Sequence, residues 1–177
     1  MRPDLAAARE KLLPDVLAPG LDVVFCGINP GLYSAATGLH FGRPGNRFWP
    51  ALHLGGFTPR LFTPAEQDQL PQHGLGITNL VPRATARADE LTDAELRAGA
   101  VRLTGIAERY RPEVIAVVGV TAYRTAFGRK KAAVGAQDET IADSRLWVLP
   151  NPSGLNAHYQ LPALGDAFAE LCATLDR

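Results

Sequence analysis

The stretch VVFCGINPG, Val23 to Gly31, opens with four apolar residues in five positions and then breaks into glycine, asparagine and proline. A short continuous apolar run fits a strand buried on both faces, as in a parallel sheet. Asn-Pro and Pro-Gly mark a turn. Glycine also lets a backbone approach a ligand closely, because it has no Cβ.

Three more runs read the same way: LGITNLV (75 to 81), VIAVVGV (114 to 120) and RLWVLPN (145 to 151). Helical patterns lie between them. The segment from 92 to 110 begins with Thr92 and Glu95 at capping-box spacing and carries Leu96, Val101, Leu103 and Ile106 as its expected apolar side. TAYRTAF (121 to 127) and LPALGDAFAELCATL (161 to 175) are the other expected helices, and RFWPAL opens a further one. Alternating strand and helix predicts an α/β fold with a central parallel four-stranded sheet flanked by helices, and right-handed crossovers. In such sheets ligands collect beyond the carboxyl ends of the strands. The loops there, GINPGLYSAATGLHFGRPGNRFW, VPRATARADEL and NPSGLNAHYQ, are rich in Gly, Asn, Ser and Arg.

The 177 residues suit one domain, spanning 1–177. With 46% hydrophobic and 20% charged residues the composition is globular. No apolar run reaches the ~20 residues of a membrane span, and the N-terminal segment has acids and prolines where a signal peptide has its apolar core. A cytoplasmic protein without membrane contact is expected. Cys26 and Cys172 are the only cysteines, which excludes a four-cysteine zinc or iron–sulfur site within one chain; no metal or cofactor is expected. Eighteen basic residues balance eighteen acidic ones, so only local charge is informative, as in GRKKAA (128 to 133) and at arginines 43, 47, 83 and 87.

The pair GINPG and NPSGL, each on a strand end, together with TG, NRFW, GFT and GIT between them, resembles the uracil-DNA glycosylase superfamily, in particular its mismatch-specific branch containing thymine-DNA glycosylase. The resemblance covers roughly residues 20 to 175 and implies a three-layer fold of that type. It implies a monofunctional glycosylase that hydrolyses the bond between uracil, or another damaged pyrimidine, and its sugar opposite guanine in double-stranded DNA, by flipping the nucleotide into a pocket. A monomer is expected.

The resemblance also implies roles for residues. Asn29 stands where the fastest relatives have aspartate; an amide orients water but accepts no proton at neutral pH. Backbone N–H groups at Ile28 and Gly31 are expected to face the base oxygens. Phe41 matches the stacking aromatic, and His40 beside it reads as a loop residue. Asn151 stands where faster relatives have a histidine that donates to the base. Ser153 is expected to hold a phosphate through its hydroxyl and N–H. Leu155, with Gly154 and Asn156, matches a wedge that enters the base stack and meets the widowed guanine.

Two positions depart from relatives. Asn79 replaces a lysine found in some of them, and the wedge loop lacks their arginine. Asp89 and Asp93 are carboxylates near the rim that could supplement Asn29, although Asp93 at a helix start suits capping. Two other classes compete. A nucleotide-binding hydrolase or transferase lacks any GxxxxGK[ST] or GxGxxG, and a catalytically weak DNA-binding module is suggested by the paired asparagines. No lysine falls in either motif, so no Schiff-base step is implied.

Overall fold

Each of the four expected runs forms a strand in the computed structural model, which describes residues 3–176. In chain order the elements are β1 (Val23–Gly27), α1 (Leu32–Thr37), α2 (Phe48–Leu54), β2 (Leu75–Asn79), α3 (Asp93–Tyr110), β3 (Val114–Val118), α4 (Val120–Phe127), β4 (Gly135–Ile141), β5 (Ser144–Leu149) and α5 (Leu161–Ala173). The sheet order is β2-β1-β3-β5-β4, and β1–β2, β1–β3 and β3–β5 are parallel.

Side-chain alternation distributes the apolar runs between two layers. Val23, Phe25, Val114, Ala116, Val118, Trp147 and Leu149 face a cluster completed by α2 and α5 through Phe48, Trp49, Leu52, Phe168 and Leu171. Val24, Cys26, Ile115, Val117, Leu146 and Val148 face α3 and α4 through Leu103, Ala107 and Tyr123. A strand covered on both faces has no polar side, which is why the sequence shows runs rather than alternation. Burial pushes the Cys26 thiol up, so it stays protonated and packs as a small apolar group.

The sheet has five strands, not four. The additional one, β4, pairs antiparallel with β5 at the edge. Its sequence GAQDETI alternates half-buried and exposed residues, because only one face of β4 meets the core, whereas β2 at the opposite edge is buried on both. That pattern carries no apolar run. The connecting turn passes through Ala142, whose φ is 48°.

The α3 expectation holds at its start: Glu95 N–H donates to Thr92 Oγ1 and Thr92 N–H to Glu95 Oε1, both at 3.1 Å. Its buried side is Gly99, Leu103 and Ala107, with Leu96 and Ile106 at the margin. Val101 is a correction. It lies two residues from both Gly99 and Leu103, on the opposite side of the helix from that stripe, and is 74% exposed. No helix among the described residues is long and apolar enough to cross a membrane.

Candidate active site

The chain leaves β1 toward β2 on one side and reaches β3 on the other, so the sheet has its switch point at the carboxyl end of β1. A cleft of about 650 Å³ opens there. Residues from after β1, from the ends of β2 and β3, and from after β5 line it, as the topology requires.

Asn29 is held by the loop after β2. Its Nδ2 donates to Arg83 O at 2.9 Å and to Thr85 Oγ1 at 2.8 Å. A carbonyl accepts only, and the Thr85 hydroxyl spends its own proton on Arg87 O at 2.7 Å. Both amide hydrogens of Asn29 are therefore committed, and Oδ1 is its remaining group, an acceptor at the cleft wall. The Arg83 side chain is fixed in turn by Glu95, 2.9 Å away, whose carboxyl it lowers to about 2.

Phe41 is both core and cleft. One face stacks on buried Phe48, with centroids 4.1 Å apart and planes 17° from parallel, while the residue lines the cleft. Its backbone is left-handed, with φ 49°. The neighbours enforce that conformation: Gln67 accepts from His40 N–H at 2.8 Å, Trp49 Nε1 donates to His40 O at 3.0 Å, and Gly42 N–H donates to Ser34 Oγ at 3.2 Å. Such a conformation costs about 1–3 kcal/mol and persists where surroundings over-determine it. His40 itself is 2% exposed and lies 2.7 Å from Pro14 O through Nε2. The carbonyl fixes the proton on Nε2, and burial draws the ring's pKa below its usual value despite that bond, so the imidazole is neutral.

Asn79, at the end of β2, reaches the same floor. A Cβ on Gly27 would lie 2.5 Å from Asn79 Oδ1 and 3.3 Å from Phe41 Cζ, so the absence of a side chain at Gly27 is what lets amide and ring converge. Arg102 anchors this strand end. It donates to Asn79 O at 2.6 Å and to Thr78 Oγ1 at 3.1 Å, and pairs with Asp15 at 2.8 Å. By sequence Asn79 reads as a missing charge, not as a contact. Its signal was only its place at the end of an apolar run.

The loop after β5 supplies the opposite wall. Asn151 Oδ1 accepts Ser153 N–H at 2.9 Å, which leaves the Asn151 Nδ2 donor without a partner among the described residues. The same bond occupies the Ser153 N–H expected to meet phosphate, and the hydroxyl oxygen accepts Leu155 N–H at 3.2 Å. Leu155 projects beyond this turn, 80% exposed.

Arg47, noted in the sequence only as local charge, organises the loop. Its N–H donates to Pro152 O at 2.9 Å, and its guanidinium binds Ser153 O at 2.5 Å, Asn156 O at 3.2 Å and Tyr159 O. Hydrogen bonds to a charged donor contribute about 1.5–3 kcal/mol each. Gly154 approaches Gly45 so closely that a Cβ would lie 2.8 Å from Gly45 O.

The cleft thus gathers Ile28, Asn29, Gly31, Phe41, Asn151, Ser153 and Leu155. Gly154 and Asn156 are not on its lining; Asn156 Nδ2 folds back to Asn151 O at 3.0 Å. Asp89 lines the cleft beside Arg87, 3.1 Å away, and Asp93 does not, sitting instead at the first position of α3. Among the described residues no three His, Cys, Asp or Glu side chains converge as metal ligands.

Compared with known proteins, residues 14–175 match the model of the uracil DNA glycosylase superfamily. The fold is similar to the solution NMR structure of a candidate uracil DNA glycosylase from Methanosarcina acetivorans, with a TM-score of 0.59 and 19% identity over 91% of this chain and 97% of that one.

Proposed function

From the premise that the chain belongs to the uracil DNA glycosylase superfamily, we propose that it is a monomeric, monofunctional DNA glycosylase, one domain over the 177 residues, that removes uracil mispaired with guanine from double-stranded DNA. The observation that carries this reading is the convergence of the outward Asn29 carbonyl, the free Asn151 amide, Asn79 and the open face of Phe41 on one cleft beneath Leu155.

A pyrimidine drawn from the stack lies on the open face of Phe41, where stacking contributes about 1–3 kcal/mol. The Asn79 amide, both donor and acceptor, suits the alternating carbonyl and N–H edge of uracil. Asn151 Nδ2 donates to the remaining base carbonyl and, with N–H groups near Ile28 and Gly31, stabilises the negative charge that builds as the base leaves. The departing uracil takes the bonding electron pair and the sugar becomes oxocarbenium-like. Water, held by Asn29 Oδ1, adds to that carbon.

Because an amide takes no proton, the water loses its proton only once bonded to the cationic sugar, and Asp89 is the carboxylate on the cleft wall to receive it. No lysine lines the cleft, which favours hydrolysis over a Schiff base. Leu155 fills the space the base vacates and, with Gly154 and Asn156, faces the widowed guanine, while the Ser153 hydroxyl meets a phosphate.

The test is incubation with a duplex holding one uracil opposite guanine, followed by alkaline cleavage at abasic sites. Strand scission at the uracil, greater than from U·A, is the expected result. Intact strands, or phosphate released from free nucleotides, overturn the reading.

A further inference from the structure

Leu155 lines a second cavity on its far side, about 760 Å³, that begins at Asn151 and Asn156 and ends at Ala133 and Val134. No carboxylate lines it; Arg124 and His158 do. Ala133 and Val134 also begin a third cavity, about 820 Å³, whose wall is the Gly128–Ala132 loop with Arg129, Lys130 and Lys131. The two form one trough leading away from the wedge.

Its charge is concentrated. Between Glu113 and Asp138 the chain has four basic residues and no acidic one, although acids and bases balance over the whole sequence. Asp138 and Glu139 line the third cavity as well, but Glu139 is already bound, by Arg129 at 2.8 Å and by the Tyr123 hydroxyl at 2.6 Å, which leaves Asp138 as the one acid to set against Arg124, Lys130 and Lys131. Arg124 Nε fixes the loop by donating to Ala132 O at 2.8 Å. Lys130 and Lys131 are exposed and have no ion-pair partner among the described residues. A fixed loop that carries unpaired ammonium groups along a trough lined by four basic side chains and two acidic ones suits a polyanion of regular charge spacing.

We propose that this trough is a second DNA contact, taking the sugar–phosphate backbone of the duplex that flanks the excision site. The inference rests on the reading of the cleft as a glycosylase site, since it is Leu155 at the base stack that aligns the duplex with the trough.

The experiment measures binding of a fluorescein-labelled duplex of about 30 base pairs with a central U·G pair, by anisotropy, over a range of salt. The double variant Lys130→Gln/Lys131→Gln is expected to bind on the order of tenfold more weakly at ~0.1 M salt, with a log K against log salt slope shallower by ~1–2, since each neutralised phosphate contributes about 0.9. Excision at limiting protein falls with the affinity. Lys130→Arg/Lys131→Arg keeps the charges and is expected to keep the slope. An unchanged slope in the Gln variant, with wild-type melting and wild-type excision of uracil, overturns the trough and leaves the glycosylase reading standing. Binding without excision by the wild type, with the shallower slope in the variant, supports the trough and overturns the glycosylase reading.

Discussion

Asn29 and Thr85 are joined by a 2.8 Å hydrogen bond in which the amide donates and the hydroxyl accepts, so the outward atom of Asn29 is its carbonyl oxygen. Thr85→Val removes the acceptor and frees the amide to turn. Single-turnover excision is expected to fall about tenfold, equivalent to ~1.4 kcal/mol, with duplex affinity near wild type. Asn29→Ala is expected to cost more. Asn29→Asp brings a carboxylate oxygen against Arg83 O, where a donor stood at 2.9 Å; a lower melting temperature by circular dichroism is expected. A wild-type rate for Thr85→Val would show that another contact orients Asn29.

Phe41 stacks one face on Phe48 and lines the cleft. Phe41→Ala is expected to lose excision and about 2 kcal/mol of stability, less than the ~3–5 of a fully buried phenylalanine. Phe41→Tyr is expected to retain both. Denaturant unfolding separates the terms, and full stability in Phe41→Ala would mean the Phe48 stack contributes nothing.

Leu155, exposed at the loop tip, is a substitution site where stability should change by less than ~0.5 kcal/mol. Leu155→Ala is expected to reduce excision from duplex U·G and to do less harm on single-stranded uracil DNA, because a wedge matters only where a stack must be held open. Equal losses on both substrates with a lower melting temperature would identify a packing residue.

Arg47 reaches the carbonyls of Pro152, Ser153, Asn156 and Tyr159. A lysine lacks the planar fork for that spread. Arg47→Lys is therefore expected to resemble Arg47→Ala, with loss of duplex affinity and faster proteolysis within residues 152–159. Protection equal to wild type would reassign the clamp.

His40 makes stability depend on pH. Burial lowers its folded pKa below the unfolded 6.5, so the unfolded chain binds more protons in that window. The contribution is complete above about 6.5 and is lost as pH falls toward the folded value. Melting temperature is expected to decline through that range in wild type, and less in His40→Gln, which cannot titrate. Parallel declines would assign the effect elsewhere.

Local pattern carried much of this protein. Continuous apolar runs identify β1, β2, β3 and β5 because both faces of these strands are covered; Thr92 and Glu95 mark the start of α3 because a cap is made within four residues. Asn29, Phe41, Asn151 and Leu155 are singled out by the resemblance of their motifs to the family, not by local pattern, and the structure brings them to one cleft. Tertiary structure decided the rest. β4 is hidden by alternation that only pairing with β5 gives meaning to. The direction of the Asn29 amide depends on carbonyl and hydroxyl groups 54 and 56 residues away, and the wedge loop on an arginine more than 100 residues earlier. Asn79 and Phe41 converge only because Gly27 leaves room between them. Burial periodicity is set by neighbours along the chain and shows in the sequence; hydrogen-bond partners and close approaches are set by neighbours in space, and no local pattern records them.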